Sequence, residues 1–179
     1  MKYISTRGGC LSQNFEQVLL TGLAPDGGLF IPETLPTVSI EQIRAMGSLS
    51  YADLALDLII PFVDGEIPSS DLKTIIDQSY ETFGHPEVAP MTQLSEREYL
   101  LELYHGPTLA FKDFALQVLG RLLDYVLERK DQRVVVLGAT SGDTGSAALE
   151  GCRHSERVEI YILHPYQRVW DVQRKQMTT

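Results

Sequence analysis

Residues 105–117 read HGPTLAFKDFALQ, and Lys112 lies where an apolar run passes into a helical pattern. An amine is a nucleophile only when neutral, and burial lowers its pKa. Phe111 and Phe114 flank Lys112, and Leu109 and Ala110 precede it. The positive end of a helix dipole further disfavours the ammonium form. Asp113 acts the other way where its carboxylate faces the amine, but neighbouring helical residues diverge by roughly 100°. Taken alone, a first-turn lysine is ordinarily a solvated charge whose stem covers apolar neighbours. Two readings therefore stand at this point, a surface charge or a held nucleophile. His105, at the head of the same stretch, is a candidate acid, base or anion contact, beside the plainer role of capping the loop.

A second stretch, VVVLGATSGDTGSAA, carries Gly138, Gly142 and Gly145, which let a backbone turn sharply and approach a ligand closely. A helix is expected to open near Thr144, and its free N–H groups and dipole favour an anion. Thr140, Ser141 and Thr144 add hydroxyl donors. No lysine follows the glycines as a Walker A loop requires, and the spacing differs from the dinucleotide fingerprint. Asp143 would oppose a bare phosphate. A carboxylate-bearing substrate beside another cationic or hydrogen-bonding group suits it better, and a tight connection without any ligand is the alternative. His85, His154 and His164 are scattered without metal-ligand spacing. Arg168, Arg174 and Lys175 form either an anion contact or a solvated helix face.

Elements must hold these motifs. EYLLELY (98–104), RVVVLGAT (133–140, of the buried type) and VEIYILHP (158–165) read as strands. DFALQVLGRLLDYVLERK (113–130) reads as a long helix with Phe114, Val118, Leu122, Tyr125 and Val126 on its apolar side. Strand–helix–strand–helix–strand argues a partial parallel, right-handed βαβ unit. The part before it is mainly helical. Asn14 with Gln17 and Ser39 with Gln42 form capping-box patterns. Tyr51, Leu54, Ala55, Leu58 and Phe62 share a stripe whose last turn Pro61 disturbs. Leu72, Ile75, Ile76, Tyr80 and Phe83 line a helix begun at Ser69 or Ser70 and stopped by Gly84. KYIST and the end of APDGGLFIP read as brief strands. The Pro- and Gly-rich GHPEVAPMTQLS marks a boundary, giving residues 1–90 and 91–179 as two domains.

The 179-residue chain is 44% hydrophobic and 22% charged, as a globular α/β protein should be. A net charge of -9 argues against nucleic acid or an anionic membrane as a partner. No apolar run approaches a membrane span, the start lacks the apolar core of a secretory leader, and Cys10 and Cys152 form no metal or disulfide pattern. A cytoplasmic protein is expected.

Together HGPTLAFKDFALQ and TSGDTGSAA resemble the threonine synthase family, pyridoxal-phosphate enzymes of fold type II. KYISTRG, GLAPDGGLFIPE and VQRKQMTT carry the likeness through the whole chain. The resemblance implies pyridoxal 5'-phosphate as cofactor and O-phosphohomoserine as small-molecule substrate, with L-threonine and phosphate as products. Lys112 matches the lysine that binds the cofactor as an imine and then moves protons. Phe111, Asp113 and Asp143 match the cofactor surroundings, with Asp143 toward the ring hydroxyl or the imine. Ser141, Gly142, Thr144, Gly145 and His105 match substrate contacts. Gln167 and Trp170 depart from the family pattern, where Gly and Ser are expected. The chain is also shorter than family enzymes, whose cofactor-phosphate loop lies further along. An amino-terminal portion, inactive alone and with a sheet edge open to self-association, is the expectation. A non-catalytic anion-binding segment and a phospho-lyase on the same substrate are the alternatives.

Overall fold

A computed structural model describes residues 1–140 and 142–178, and the chain divides into two compact units, Met1–Ile76 and Asp77–Thr179. In the first, strand β1 (Tyr3–Ser5) pairs antiparallel with β2 (Phe30–Pro32), with Ile4 opposite Ile31. The APDGG turn is tied by Asp26, which accepts from the Ser5 hydroxyl at 2.7 Å and from the amides of Gly9 and Gly28 at 2.8 and 2.9 Å. Helix α1 (Phe15–Thr21) and helix α2 (Ile40–Met46) both start with the expected capping boxes. The Glu66 carboxylate also accepts from the first two amides of α1, at 2.9 and 3.0 Å. Helix α3 (Tyr51–Val63) runs through Pro61 for two more residues and ends at Asp64 in the left-handed region. Helix α4 (Ser69–Tyr80) begins where its serines predict. Tyr3, Val63, Ile67, Leu72, Ile75 and Ile76 form this unit's core, and the Tyr3 hydroxyl donates to the Phe62 carbonyl.

The second unit holds the motifs. Phe83 meets Phe114 edge-on with ring centres 4.8 Å apart, while Ser79 and Tyr80 donate to the carbonyls of Gln117 and Phe114. Strand β3 (Met91–Gln93) pairs antiparallel with β4 (Tyr99–Leu101). Residues 99–101 therefore belong to a hairpin and not to the parallel sheet that the sequence rhythm suggests. The five residues between these strands close a tight turn, with Leu94 N donating to Glu98 O, whereas parallel neighbours need a long crossover. The parallel unit is β5 (Val134–Ala139), α6 (Asp143–Cys152) and β6 (Val158–Leu163), in register from Val134 opposite Val158 to Ala139 opposite Leu163.

Helix α5 (Asp113–Lys130) packs against α6 at a glycine crossing. A Cβ on Gly120 would overlap the Gly151 carbonyl, and one on Gly151 would overlap the Leu116 carbonyl. Val126, Leu127 and Ala147 are fully buried. Burial alternates along β5 and β6, so β5 is not buried on both faces as its apolar content predicts. Val135, Leu137, Tyr161 and Leu163 point outward and are 56% to 69% exposed. Helix α7 (Asp171–Thr178) follows. Among the described residues no helix is long and apolar enough to cross a membrane, and no cluster of His, Cys, Asp and Glu could hold a metal ion.

Candidate functional site

Lys112 is the N-cap of α5, with φ -64° and ψ -22°, and its side chain makes no capping hydrogen bond. The residue is half-buried. Its Nζ lies 4.9 Å from the centre of the Phe111 ring, which is itself 56% exposed. Among the described residues no carboxylate lies within ion-pair distance of this amine. The site thus holds an amine over an aromatic face at the positive end of a helix.

Asp113 does not face the amine. Its side chain is fully buried, and it reaches backwards into the preceding loop. Oδ1 accepts from the Thr108 hydroxyl at 2.7 Å, and Oδ2 accepts from the amides of Thr108 at 2.9 Å and Ala110 at 3.4 Å. The carboxylate lies against Gly106, where a Cβ would come within 2.5 Å of Oδ2. Leu109 takes φ +62°, a left-handed conformation that costs about 1 kcal/mol or more for a residue with a Cβ.

His105 sits in a polar cluster with the β3–β4 hairpin. Its Nε2 lies 2.7 Å from Glu102 Oε2, and Thr92 donates to Glu102 Oε1 at 2.7 Å. Hydrogen bonds from Thr92 first, then from His105 and Tyr104, hold the Glu102 carboxyl down to about 2. The imidazole contacts the rings of Tyr104 and His85, with centroids 4.6 and 5.0 Å away. The His105 carbonyl accepts from Gly84 N.

The glycine-rich turn delivers α6. Ser141 lies outside the described residues. Gly142 is the N-cap and brings no side chain to cap the helix. A Cβ at Gly142 would come within 2.6 Å of the Gln173 carboxamide. One at Gly145 would meet Thr140 Cγ2 at 2.7 Å and Met177 Sδ at 2.8 Å. Only glycine allows α6, β5 and α7 to approach this closely. Asp143 and Thr144 are exposed at the helix start, and Gln173 Nε2 donates to Asp143 Oδ1.

Helix α7 joins the two motifs. Gln173 holds Asp143, and Gln176, one turn on, donates to the Thr108 carbonyl at 3.2 Å. Sequence reasoning named neither glutamine, nor Thr108, Glu102 and Thr92. The spacing of Gln173 and Gln176 was a readable signal, since residues three apart share a helix face. Trp170 is exposed and fills no pocket, and Gln167 takes φ +54° in a turn. A hollow of about 460 Å³ beside them is lined by His164, Gln167 and Arg174, and His164 Nδ1 is buried with no partner among the described residues. Burial pushes the Cys152 thiol up, with Asp124 adding to the shift, so this cysteine is not an activated nucleophile.

Comparison with known proteins finds relatives along the whole chain. The family model described as threonine synthase N terminus matches residues 2–80. Threonine synthase of Pseudomonas aeruginosa is 58% identical over 179 residues, covering all of this chain and 38% of that protein. Threonine synthase of Schizosaccharomyces pombe is 45% identical over 188 residues, covering 100% of this chain and 37% of its own. A crystal structure of PLP-bound threonine synthase from Brucella melitensis superposes with a TM-score of 0.96 at 48% identity, over 100% of this chain and 39% of that one. The yeast threonine synthase structure gives 0.93 at 43% identity, over 99% and 38%. The chain thus spans under two-fifths of the length of the curated relatives it matches.

Proposed function

The chain belongs to the threonine synthase family, matching its amino-terminal portion, and on that premise we propose that it supplies the nucleophilic lysine and the substrate loop for converting O-phospho-L-homoserine and water into L-threonine and phosphate in the cytoplasm. The observation that carries this reading is the Lys112 amine, half-buried at a helix start over Phe111 and unpaired by any carboxylate among the described residues.

The residues present fit pyridoxal phosphate. A free amine suits its aldehyde. When bound, the cofactor would supply an electron sink for negative charge developing on the substrate. Lys112 Nζ would accept and return protons at the substrate carbons. The amides opening α6, which Gly142 leaves without a cap of its own, bind the substrate carboxylate with the Thr144 hydroxyl. Asp143, steadied by Gln173, lies beside them as a candidate partner of the cofactor ring. His105, fixed through Nε2 by Glu102, keeps Nδ1 for a substrate contact. Residues 91–179 act in this reading as the start of the cofactor-binding domain. The outward face of β5 and β6 is the surface through which the chain associates.

Pyridoxal phosphate with borohydride, followed by peptide mapping, tests the proposal. A pyridoxyl group on Lys112 in close to one equivalent is expected. Label scattered over surface lysines would sink the reading. Threonine formation is expected to need more than these 179 residues, so turnover of O-phosphohomoserine by this chain alone would overturn that part.

A further inference from the structure

We infer that Asp113 is a positioning residue for Lys112, clasping the HGPTLA loop so that the amine emerges at a fixed angle, and is not itself a cofactor contact. The inference rests on the reading of Lys112 as the reactive lysine. The order of the two residues suggests an ion pair or a shared ligand, but the geometry points elsewhere. Asp113 is fully buried, and both of its oxygens are occupied by Thr108 and Ala110. Its partners are neutral donors, so the negative charge is stabilised by hydrogen bonds and by the helix start.

The clasp also answers how a lysine comes to occupy an N-cap. That position ordinarily takes Ser, Thr, Asp or Asn, whose side chain bends back to the first amides. Lys112 has no such group and makes no such bond. Asp113, one residue later, ties the loop to the helix instead, from inside the first turn. The N-cap side chain is thereby released from capping. The same clasp holds Leu109 in its left-handed conformation, with Leu109 N donating to Gly106 O at 3.0 Å and Asp113 N donating to Ala110 O at 3.0 Å. Gly106 must lack a side chain because the carboxylate occupies that space. Gln176 of α7 donates to the Thr108 carbonyl, so the clasped residue is also the one joined to the helix that holds Asp143.

Asparagine at 113 is nearly the same size, but it removes the charge and replaces one acceptor oxygen with a donor, which only the Thr108 hydroxyl, by reversing its bond, could accept. Four variants of the 179-residue chain, Asp113→Asn, Thr108→Val, Thr108→Ser and the Asp113→Asn/Thr108→Val pair, are compared by two labelling reactions. Reductive methylation with formaldehyde and cyanoborohydride reads Lys112 exposure against Lys2 without any cofactor. Pyridoxal phosphate with borohydride reads productive placement of the amine. In Asp113→Asn, methylation of Lys112 is expected to rise several-fold while pyridoxyl capture falls by roughly tenfold or more, because misplacing a reacting group by an ångström is costly. Thr108→Val should move both readouts the same way, Thr108→Ser should restore them, and the Asp113→Asn/Thr108→Val pair should be no worse than Asp113→Asn alone. Should Asp113→Asn fail to fold, the two Thr108 variants carry the test. Unchanged methylation and capture in Thr108→Val, or equal loss in Thr108→Ser, overturns the clasp. Absence of pyridoxyl capture in the unaltered chain would overturn the reading of Lys112 instead, and the methylation ratios would still decide the role of Asp113.

Discussion

At the scale of single residues, two aspartates do the same work in different units. Asp26 ties the APDGG turn to Ser5 and Gly9, and Asp113 ties HGPTLA to the start of α5. Neither makes its main contact with a cation. Lys112, by contrast, has among the described residues a side chain whose one recorded contact is the Phe111 ring. Replacing it with alanine is therefore expected to abolish pyridoxyl capture and to change unfolding free energy by no more than about 0.5 kcal/mol, read from a urea transition. Glu102 is the residue whose protonation should be felt in folding. Its folded pKa, about 2, lies below the ordinary 4.5, because Thr92, His105 and Tyr104 bond the carboxylate. A depressed pKa stabilises the fold above the unfolded value, and that contribution is lost as pH falls from about 4.5 toward 2. Urea midpoints measured across that window should fall more steeply for the unaltered chain than for Glu102→Gln. Parallel slopes would remove Glu102 from the account. Residue type made Lys112 and the glycine-rich SGDTG turn stand out, but it left Lys112 between a surface charge and a held nucleophile. The partners of Asp113 and Glu102 were not legible, because a carboxylate's partner is chosen by loop geometry that no periodicity encodes.

At the scale of elements, legibility follows locality. The capping boxes of α1 and α2 are written within four residues, and both form where Asn14 and Ser39 predict. The start of α5 at Asp113 follows from the same apolar period that places Val118, Leu122 and Val126 inside. The β3–β4 hairpin was misjudged because a short apolar strand does not announce its partner. The glycine crossing of α5 and α6 was missed for a related reason, since Gly120 in mid-helix is normally only a cost in propensity. Its use emerges when Gly151 lies against it. Gly120→Ala gains helix propensity but drives a methyl group into the Gly151 carbonyl. The expected net effect is a loss of about 1–3 kcal/mol, the usual range for overpacking, measured by thermal or urea unfolding. A stabilised Gly120→Ala variant would mean that the helices separate freely. Helix α7 is the element on which the two motifs depend jointly. Gln173→Ala and Gln176→Ala should each lower pyridoxyl capture at Lys112 with little change in overall stability, because both glutamine side chains are solvent-facing bridges.

At the scale of the whole molecule, the two units each carry their own buried core, and what distinguishes the second is a parallel sheet of two strands. Parallel strands normally have both faces covered. Here the face bearing Val135, Leu137, Tyr161 and Leu163 is open, and the register sets Leu137 beside Tyr161 and Ala139 beside Leu163. The alternation along each strand keeps these side chains together in one patch and off the helical side. A contiguous apolar surface of this kind favours contact with another apolar surface. In a solution of this chain alone, the available partner is a second copy. Sedimentation velocity should therefore show association that strengthens with protein concentration. The paired change Leu137→Lys and Tyr161→Lys should weaken it, since each cation would have to be desolvated in the contact. Because both positions are exposed, the change should alter helix content little, which circular dichroism reads separately from size. A chain that sediments as a monomer at every concentration, or a double variant that associates as before, would remove the outward sheet face as the surface of contact.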